Sequence, residues 1–109
     1  MAYDEGLAEL LRSDLADQDG ITEKKMFGGL CFLRYGHMVC GVHKGGAMYR
    51  VGKDNEADAL QIEGAGPMTF TGRKMGGMID VTDEGLADDA ARGQWTALAL
   101  GFVRTLPPK

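Results

Sequence analysis

The sequence predicts an α+β domain in which a mostly antiparallel sheet carries flanking helices, in the order α-β-β-β-β-α-β-α. Two observations lead to this class. Apolar residues recur every three or four positions near both ends of the chain, and short apolar runs separated by glycine pairs fill the middle. The 109 residues suit one domain spanning 1–109, and 44% hydrophobic residues suffice for one core.

The first helix shows helical spacing most clearly. Tyr3, Leu7, Leu11 and Leu15 share one face, which predicts a helix over 3–16. The other predicted elements are strands at 21–27, 30–35, 38–44, 47–51 and 78–81, helices at 54–62 and 88–106, turns at Gly36-His37, Gly45-Gly46 and 82–85, a loop at Gly66-Pro67, and an irregular segment or short edge strand at 70–73.

Composition argues against several classes of protein. No apolar run approaches the ~18 residues of a membrane-spanning helix, and the acidic N-terminal segment is unlike a signal peptide. We therefore expect a cytoplasmic protein that does not enter a membrane, with Cys31 and Cys40 as reduced thiols. The net charge of −4 makes direct DNA binding an unfavourable hypothesis.

Charge is divided into blocks along the chain. Residues 1–23 carry seven acidic residues and one basic residue, whereas residues 24–53 carry six basic residues and no acidic ones. Such blocking indicates complementary faces within the fold or with a partner. An acidic first helix near a basic hairpin is the simpler interpretation, and an anion site in the basic segment is the alternative.

Four potential metal ligands, Cys31, His37, Cys40 and His43, fall within 13 residues. Their spacing is not a standard zinc pattern. A turn at residues 36–37 would put both cysteines on one face of the sheet, His43 on the other face and His37 at the tip of the turn. The sequence therefore predicts no metal site, no disulfide and no cysteine nucleophile, and we expect a protein that is not an enzyme.

The same register pairs Tyr35 with Met38 and leaves apolar residues on both sheet faces. One predicted face carries Cys31, Leu33, Met38, Cys40, Val42, Tyr49 and Val51, and the other carries Leu30, Phe32, Val39 and Met48. Small antiparallel sheets usually keep one face wet, so a second copy of the chain could cover one of these. We expect a homodimer and a further, unidentified protein partner.

A basic set forms the candidate binding site. Arg34 and Arg50 are predicted on one sheet face, with Gly41 opposite Arg50, and Arg73 and Lys74 come from a later loop. Together these residues could bind a carboxylate, a phosphate or a partner. The simpler and favoured interpretation is that Arg50 pairs with an acidic residue of the first or last helix.

Cofactor-binding patterns are not found in the sequence. The glycine pairs do not form a phosphate-binding loop between a strand and a long helix, so no cofactor is predicted. The seven methionines are expected to fill the core, or else to line a groove for a partner.

Several segments together resemble the TfoX/Sxy N-terminal domain family. They are 1–8, Thr22 to Leu30, Met38 to Lys44, Arg50-Val51-Gly52, Pro67-Met68, Phe70-Thr71-Gly72-Arg73 and Leu106-Pro107-Pro108. Two of these segments look like the family signature, and their residues include Met26, Phe27, Gly28, Gly29, Phe70 and Gly72.

The resemblance implies an α+β domain of the secretion-chaperone-like type, often dimeric. The namesakes of the family regulate natural competence genes together with the cyclic-AMP receptor protein. Such regulators carry a second, C-terminal domain, so this chain is expected to be a stand-alone N-terminal-type domain. The first hypothesis is a regulatory or protein-interaction module in transcriptional or competence-type regulation. The second is a small-ligand or anion-binding domain that uses Arg50, Arg73 and Lys74, conceivably an enzyme of unknown class.

Overall fold

A computed structural model describes residues 3–26, 28–70 and 73–107, apart from the side chains of 69–70 and 73–75. The elements are α1 (Glu5–Asp14), β1 (Ile21–Met26), β2 (Gly29–Arg34), β3 (His37–His43), β4 (Gly46–Arg50), a 3-10 turn (Lys53–Asn55), α2 (Glu56–Leu60), β5 (Ala65–Phe70), β6 (Arg73–Thr82), α3 (Asp83–Leu86) and α4 (Asp89–Val103). The predicted α+β class and element order are confirmed.

Six strands form one antiparallel sheet in the order β1-β2-β3-β4-β6-β5. The predicted loop at Gly66-Pro67 is wrong, because both residues belong to β5. That strand lies at the sheet edge, where a proline without an N–H group costs no ladder hydrogen bond. The predicted turn at 82–85 is wrong as well, because Thr82 caps α3 by accepting a 3.2 Å hydrogen bond from the Gly85 N–H.

The first hairpin turns one residue earlier than predicted. Tyr35 and Gly36 have φ values of 50° and 87°, and two positive φ values are the mark of a type I′ turn. His37 consequently begins β3 and pairs with Arg34, so its predicted place at the turn tip is wrong. The predicted pairing of Tyr35 with Met38 is also wrong, because Met38 pairs with Leu33.

A β-bulge at Val39 changes the register of the same hairpin. Met38 pairs with Leu33, but Cys40 pairs with Phe32, so Val39 has no partner of its own. Val39 and Cys40 therefore both pack into the core under the helices. Cys31 belongs to the opposite face, which contradicts the prediction that the two cysteines share one face.

All helices of the described chain contribute to the core on one face of the sheet. Trp95 of α4 lies at its centre, fully buried, and its indole N–H donates a 3.2 Å hydrogen bond to the Ala59 carbonyl oxygen of α2. The Trp95 ring also lies 6.0 Å from the Tyr49 ring, centroid to centroid. These contacts attach α2 and α4 to β4, and within the described ranges no helix packs on the other sheet face.

One ion pair ties the first helix to the last. Arg92 of α4 is 7% exposed, and its Nε donates a 2.7 Å hydrogen bond to Oδ2 of Asp14 in α1. Nη1 of Arg92 donates to the Leu86 carbonyl oxygen at 2.9 Å and lies 2.8 Å from Oδ1 of Asp89. The acidic first helix thus forms an ion pair with Arg92, which lies outside the basic segment 24–53. The Arg92 guanidinium can be buried because its N–H groups have hydrogen-bond partners.

Replacing Arg92 by methionine should lower the free energy of unfolding by about 3 kcal/mol, because the Asp14 carboxylate would stay half-buried without its partner. Chemical denaturation followed by circular dichroism measures this change. Arg104→Met is the matched control, because exposed Arg104 donates only a 3.0 Å hydrogen bond to Gln18, and its effect should stay within about 0.5 kcal/mol. Equal effects of the two variants would contradict a stabilising role for the buried ion pair between Arg92 and Asp14.

Candidate functional site

The sheet face away from the helices is rich in methionine. We call it the methionine face, and it comprises Met26, Cys31, Leu33, Met38, Met48, Met68 and Met78. Cys31, Met48 and Met78 are buried, and the other four side chains are partly buried around them. No helical residue of the described chain belongs to this cluster. The face is therefore covered by its own flexible side chains rather than by another layer.

One cross-strand row of this face places opposite charges on either side of its apolar centre, and Gly66 of the edge strand β5 continues the row beyond Asp80. Lys24 pairs with Cys31, Cys31 with Gly41, Gly41 with Met48, and Met48 with Asp80. Paired residues of an antiparallel sheet point to the same side, so Lys24 and Asp80 flank the apolar middle of the face.

A histidine adjoins the acidic end of the row. His43 Nε2 lies 2.6 Å from Oδ1 of Asp80, and this carboxylate remains 44% exposed. Asp80 therefore has a partner within its own chain and retains surface that another molecule could contact.

The four potential ligands Cys31, His37, Cys40 and His43 lie in different surroundings and do not converge on one point. Cys40 lies under the helices, whereas Cys31 lies on the methionine face. His37 is buried, and its Nε2 lies 2.5 Å from the Pro107 carbonyl oxygen, while His43 is engaged with Asp80. Within the described ranges, no group of three or more His, Cys, Asp or Glu side chains could hold a metal ion.

Both cysteines are free thiols in environments that disfavour the thiolate. Cys31 and Cys40 are buried, and burial raises the pKa of each thiol above its ordinary value. A cysteine nucleophile reacts as the thiolate and needs access from solvent. The two side chains are therefore placed for packing.

Two members of the predicted basic site, Arg34 and Arg50, line different cavities. Arg34 lines a cavity of about 160 Å³ with His37 and Arg104, and its guanidinium lies 4.9 Å from the Tyr35 ring centroid. Arg50 lines a different cavity of about 580 Å³. The side chains of Arg73 and Lys74 lie outside the described residues.

The predicted surroundings of Arg50 are also different. Met48, and not Arg50, pairs with Gly41. The Arg50 guanidinium lies 5.3 Å from the ring centroid of Phe102 in α4, which contradicts the expected ion pair with a helix acid. Sequence reasoning missed Phe102 and Lys53, which line the same cavity, because residues from three distant segments meet there.

The family-signature residues have identifiable structural roles where they are described. Met26 belongs to the methionine face, and Gly28 has a φ of 75°. A Cβ atom on Gly29 would lie 1.9 Å from the Val42 carbonyl oxygen, so β2 and β3 can approach only with glycine there. Phe27 and Gly72 lie outside the described residues, as does the side chain of Phe70.

The chain forms a small α+β domain with an apolar sheet face that no helix of the described residues covers. A family model, the TfoX N-terminal domain, matches residues 13–103. The chain therefore belongs to the TfoX N-terminal domain family, which supports a regulatory type of module. No curated protein and no solved structure matches the chain. Across the described residues, every helix is too short or too polar to cross a membrane.

Both thiols should resist a disulfide reagent in the native protein at pH 8. Burial blocks access and keeps the pKa of Cys31 and Cys40 high, so reaction should be at least about a hundredfold slower than in denaturant. Absorbance of the released aromatic thiolate measures both rates. Rapid reaction of either cysteine in the native protein would contradict the burial of its thiol.

Proposed function

We propose that this protein is a protein-interaction module of regulatory type that acts as a homodimer joined through the methionine face. The observation that carries the proposal is the arrangement of that face, in which the opposite charges of Lys24 and Asp80 flank an apolar centre. The family assignment supports the regulatory role. The uncovered face supports the idea that this role works through contacts with protein.

The side chains of the face suit a contact surface. The free face of an antiparallel sheet is normally polar, because it meets water. Here Met26, Leu33, Met38 and Met68 remain partly exposed around a buried centre. Methionine is flexible and polarisable, so such a surface can repack against a partner at low cost.

Charge favours a second copy as the occupant. Lys24 on β1 and Asp80 on β6 lie in one cross-strand row, four strand spacings or about 19 Å apart. If two faces meet about a two-fold axis parallel to the strands, the row of the second copy runs in reverse. Lys24 of each copy then lies over Asp80 of the other, and the apolar centres meet between them.

The size of the face is also adequate. Six strands at about 4.8 Å spacing give a surface roughly 24 Å across. Standard interfaces bury about 800 Å² on each partner, and a closely packed contact over most of this face approaches that area. Competence-type transcriptional regulation, which the family resemblance implies, would then depend on contacts made by the dimer with other proteins rather than on DNA binding by this acidic chain.

Lys24→Glu should weaken the dimer, because it places two carboxylates opposite each other at both ends of the interface. The dissociation constant should rise at least about tenfold. Asp80→Lys should have a similar effect, and the double variant Lys24→Glu/Asp80→Lys should restore dimerisation because attraction returns with reversed sign. Sedimentation equilibrium across a concentration series measures all four proteins.

Lys25→Glu is the matched control for this series. Lys25 adjoins Lys24 and is exposed, but it pairs with Leu30 on the helix-covered side of the sheet. The same charge reversal there should leave the dissociation constant within about twofold of wild type. A wild-type monomer at every concentration, or a double variant no better than its single variants, would contradict the proposed dimer.

A further inference from the structure

We propose that the cavity between the end of β4 and the last turns of α4 binds a small organic anion, with its carboxylate or phosphate group held by Arg50. Met78 of the methionine face also lines this cavity, but the proposal does not depend on the proposed dimer. The cavity has a volume of about 580 Å³, which lies within the usual range for small-molecule sites. Its lining residues include Arg50, Lys53, Asn55, Met78, Gly101 and Phe102.

Arg50 is available to a ligand in a way that two other arginines are not. Arg12 pairs with Glu9 and Glu23, and Arg92 pairs with Asp14 and Asp89. No carboxylate of the described residues lies within ion-pair distance of Arg50.

The neighbouring ring leaves the hydrogen-bonding edge of Arg50 usable. Its guanidinium lies 5.3 Å from the Phe102 ring centroid. A guanidinium placed over a ring can still offer its edge N–H groups, and two parallel N–H groups match the two oxygens of a carboxylate or phosphate. The expected anion contact is therefore bidentate.

The other charged residues leave the cavity net positive. Lys53 adds a second cation to the lining, and Asp54 adds one carboxylate. The Asn55 side-chain amide is already used, because Nδ2 donates a 3.1 Å hydrogen bond to the Val51 carbonyl oxygen. Among the described lining residues, two cations therefore face one acid, which favours a ligand with a single anionic group.

The wall of the cavity is fixed before any ligand arrives. The N–H groups of Val51 and Gly52 both donate to the Gly77 carbonyl oxygen at 2.9 Å. The Gly77 N–H donates to Oε1 of Glu56 at 2.6 Å. These bonds join the end of β4 to β6, so binding costs little ordering of the backbone.

Apolar surface completes the site and explains why the ligand should be organic. The Phe102 ring and the Met78 side chain line the cavity, with the open backbone of Gly101 beside them. Gly52 has a φ of 86°, and a Cβ atom on it would lie 2.4 Å from the Phe102 ring. Only glycine there leaves the ring in place, so the apolar wall depends on Gly52.

Two glycines of α4 allow the cavity to be filled without disturbing the fold. A Cβ atom on Gly101 or on Gly93 would meet nothing within 4 Å, and both residues are exposed on the helix. Gly101 lines the cavity, whereas Gly93 is not among its lining residues. Leucine at either position raises helix propensity by a similar amount, so only Gly101→Leu should differ in ligand binding.

The test uses benzoate and phenyl phosphate as probes, with benzyl alcohol as the uncharged control, followed by amide chemical shifts of the full chain. Either anion should shift amides of residues 50–55, 76–78 and 101–105 saturably. Gly101→Leu and Arg50→Gln should each weaken binding at least about tenfold, while Gly93→Leu should bind as wild type does. A preference for one probe distinguishes a carboxylate ligand from a phosphate ligand.

Three results would overturn the proposal. The first is no saturable shift with either anion up to about 20 mM, where even a dissociation constant near 1 mM gives saturation. The second is binding that Gly101→Leu leaves unchanged. The third is benzyl alcohol binding as tightly as the anions, which would remove the role of Arg50.

Discussion

The bulge at Val39 is the constraint on which the two faces of this sheet depend. One extra residue in β3 sends Val39 and Cys40 together into the core beneath α1 and α4. Cys31, on the neighbouring strand, is left on the other side with the methionines. Without the bulge, one half of the hairpin would present its apolar residues to the wrong face, because a shift of one residue inverts every side chain.

The two faces of the sheet therefore differ in what packs on them. On the helix side, Trp95 at the centre of the core and the buried Arg92 between two helices stabilise the fold. The opposite side presents an apolar surface that no helix of the described part of the chain covers. The proposed anion cavity lies where the two sides meet, since Met78 belongs to the methionine face and Phe102 packs against the helix-side core.

Sequence patterns predicted the class, the first four strands and the first and last helices, because amphipathic spacing and glycine pairs are local signals. They could not place the bulge, since Met38, Val39 and Cys40 are three apolar residues in succession and alternation assigns them to no face. The turn was misplaced because Tyr35 takes a positive φ that its residue type disfavours. Among Arg50, Gly77 and Phe102, which line the cavity, the sequence analysis named only Arg50 as a candidate site residue. The three come together through tertiary contacts, which local patterns do not show.

The most direct test of the account concerns the methionine methyl groups. Protein labelled with ¹³C at these methyl groups can be mixed with a soluble gadolinium chelate at low and at high protein concentration. If a second copy covers the face, the signals of Met26, Met38 and Met68 should broaden in dilute protein and be protected in concentrated protein. Equal broadening at both concentrations would show that the face stays open to solvent and would contradict the central claim.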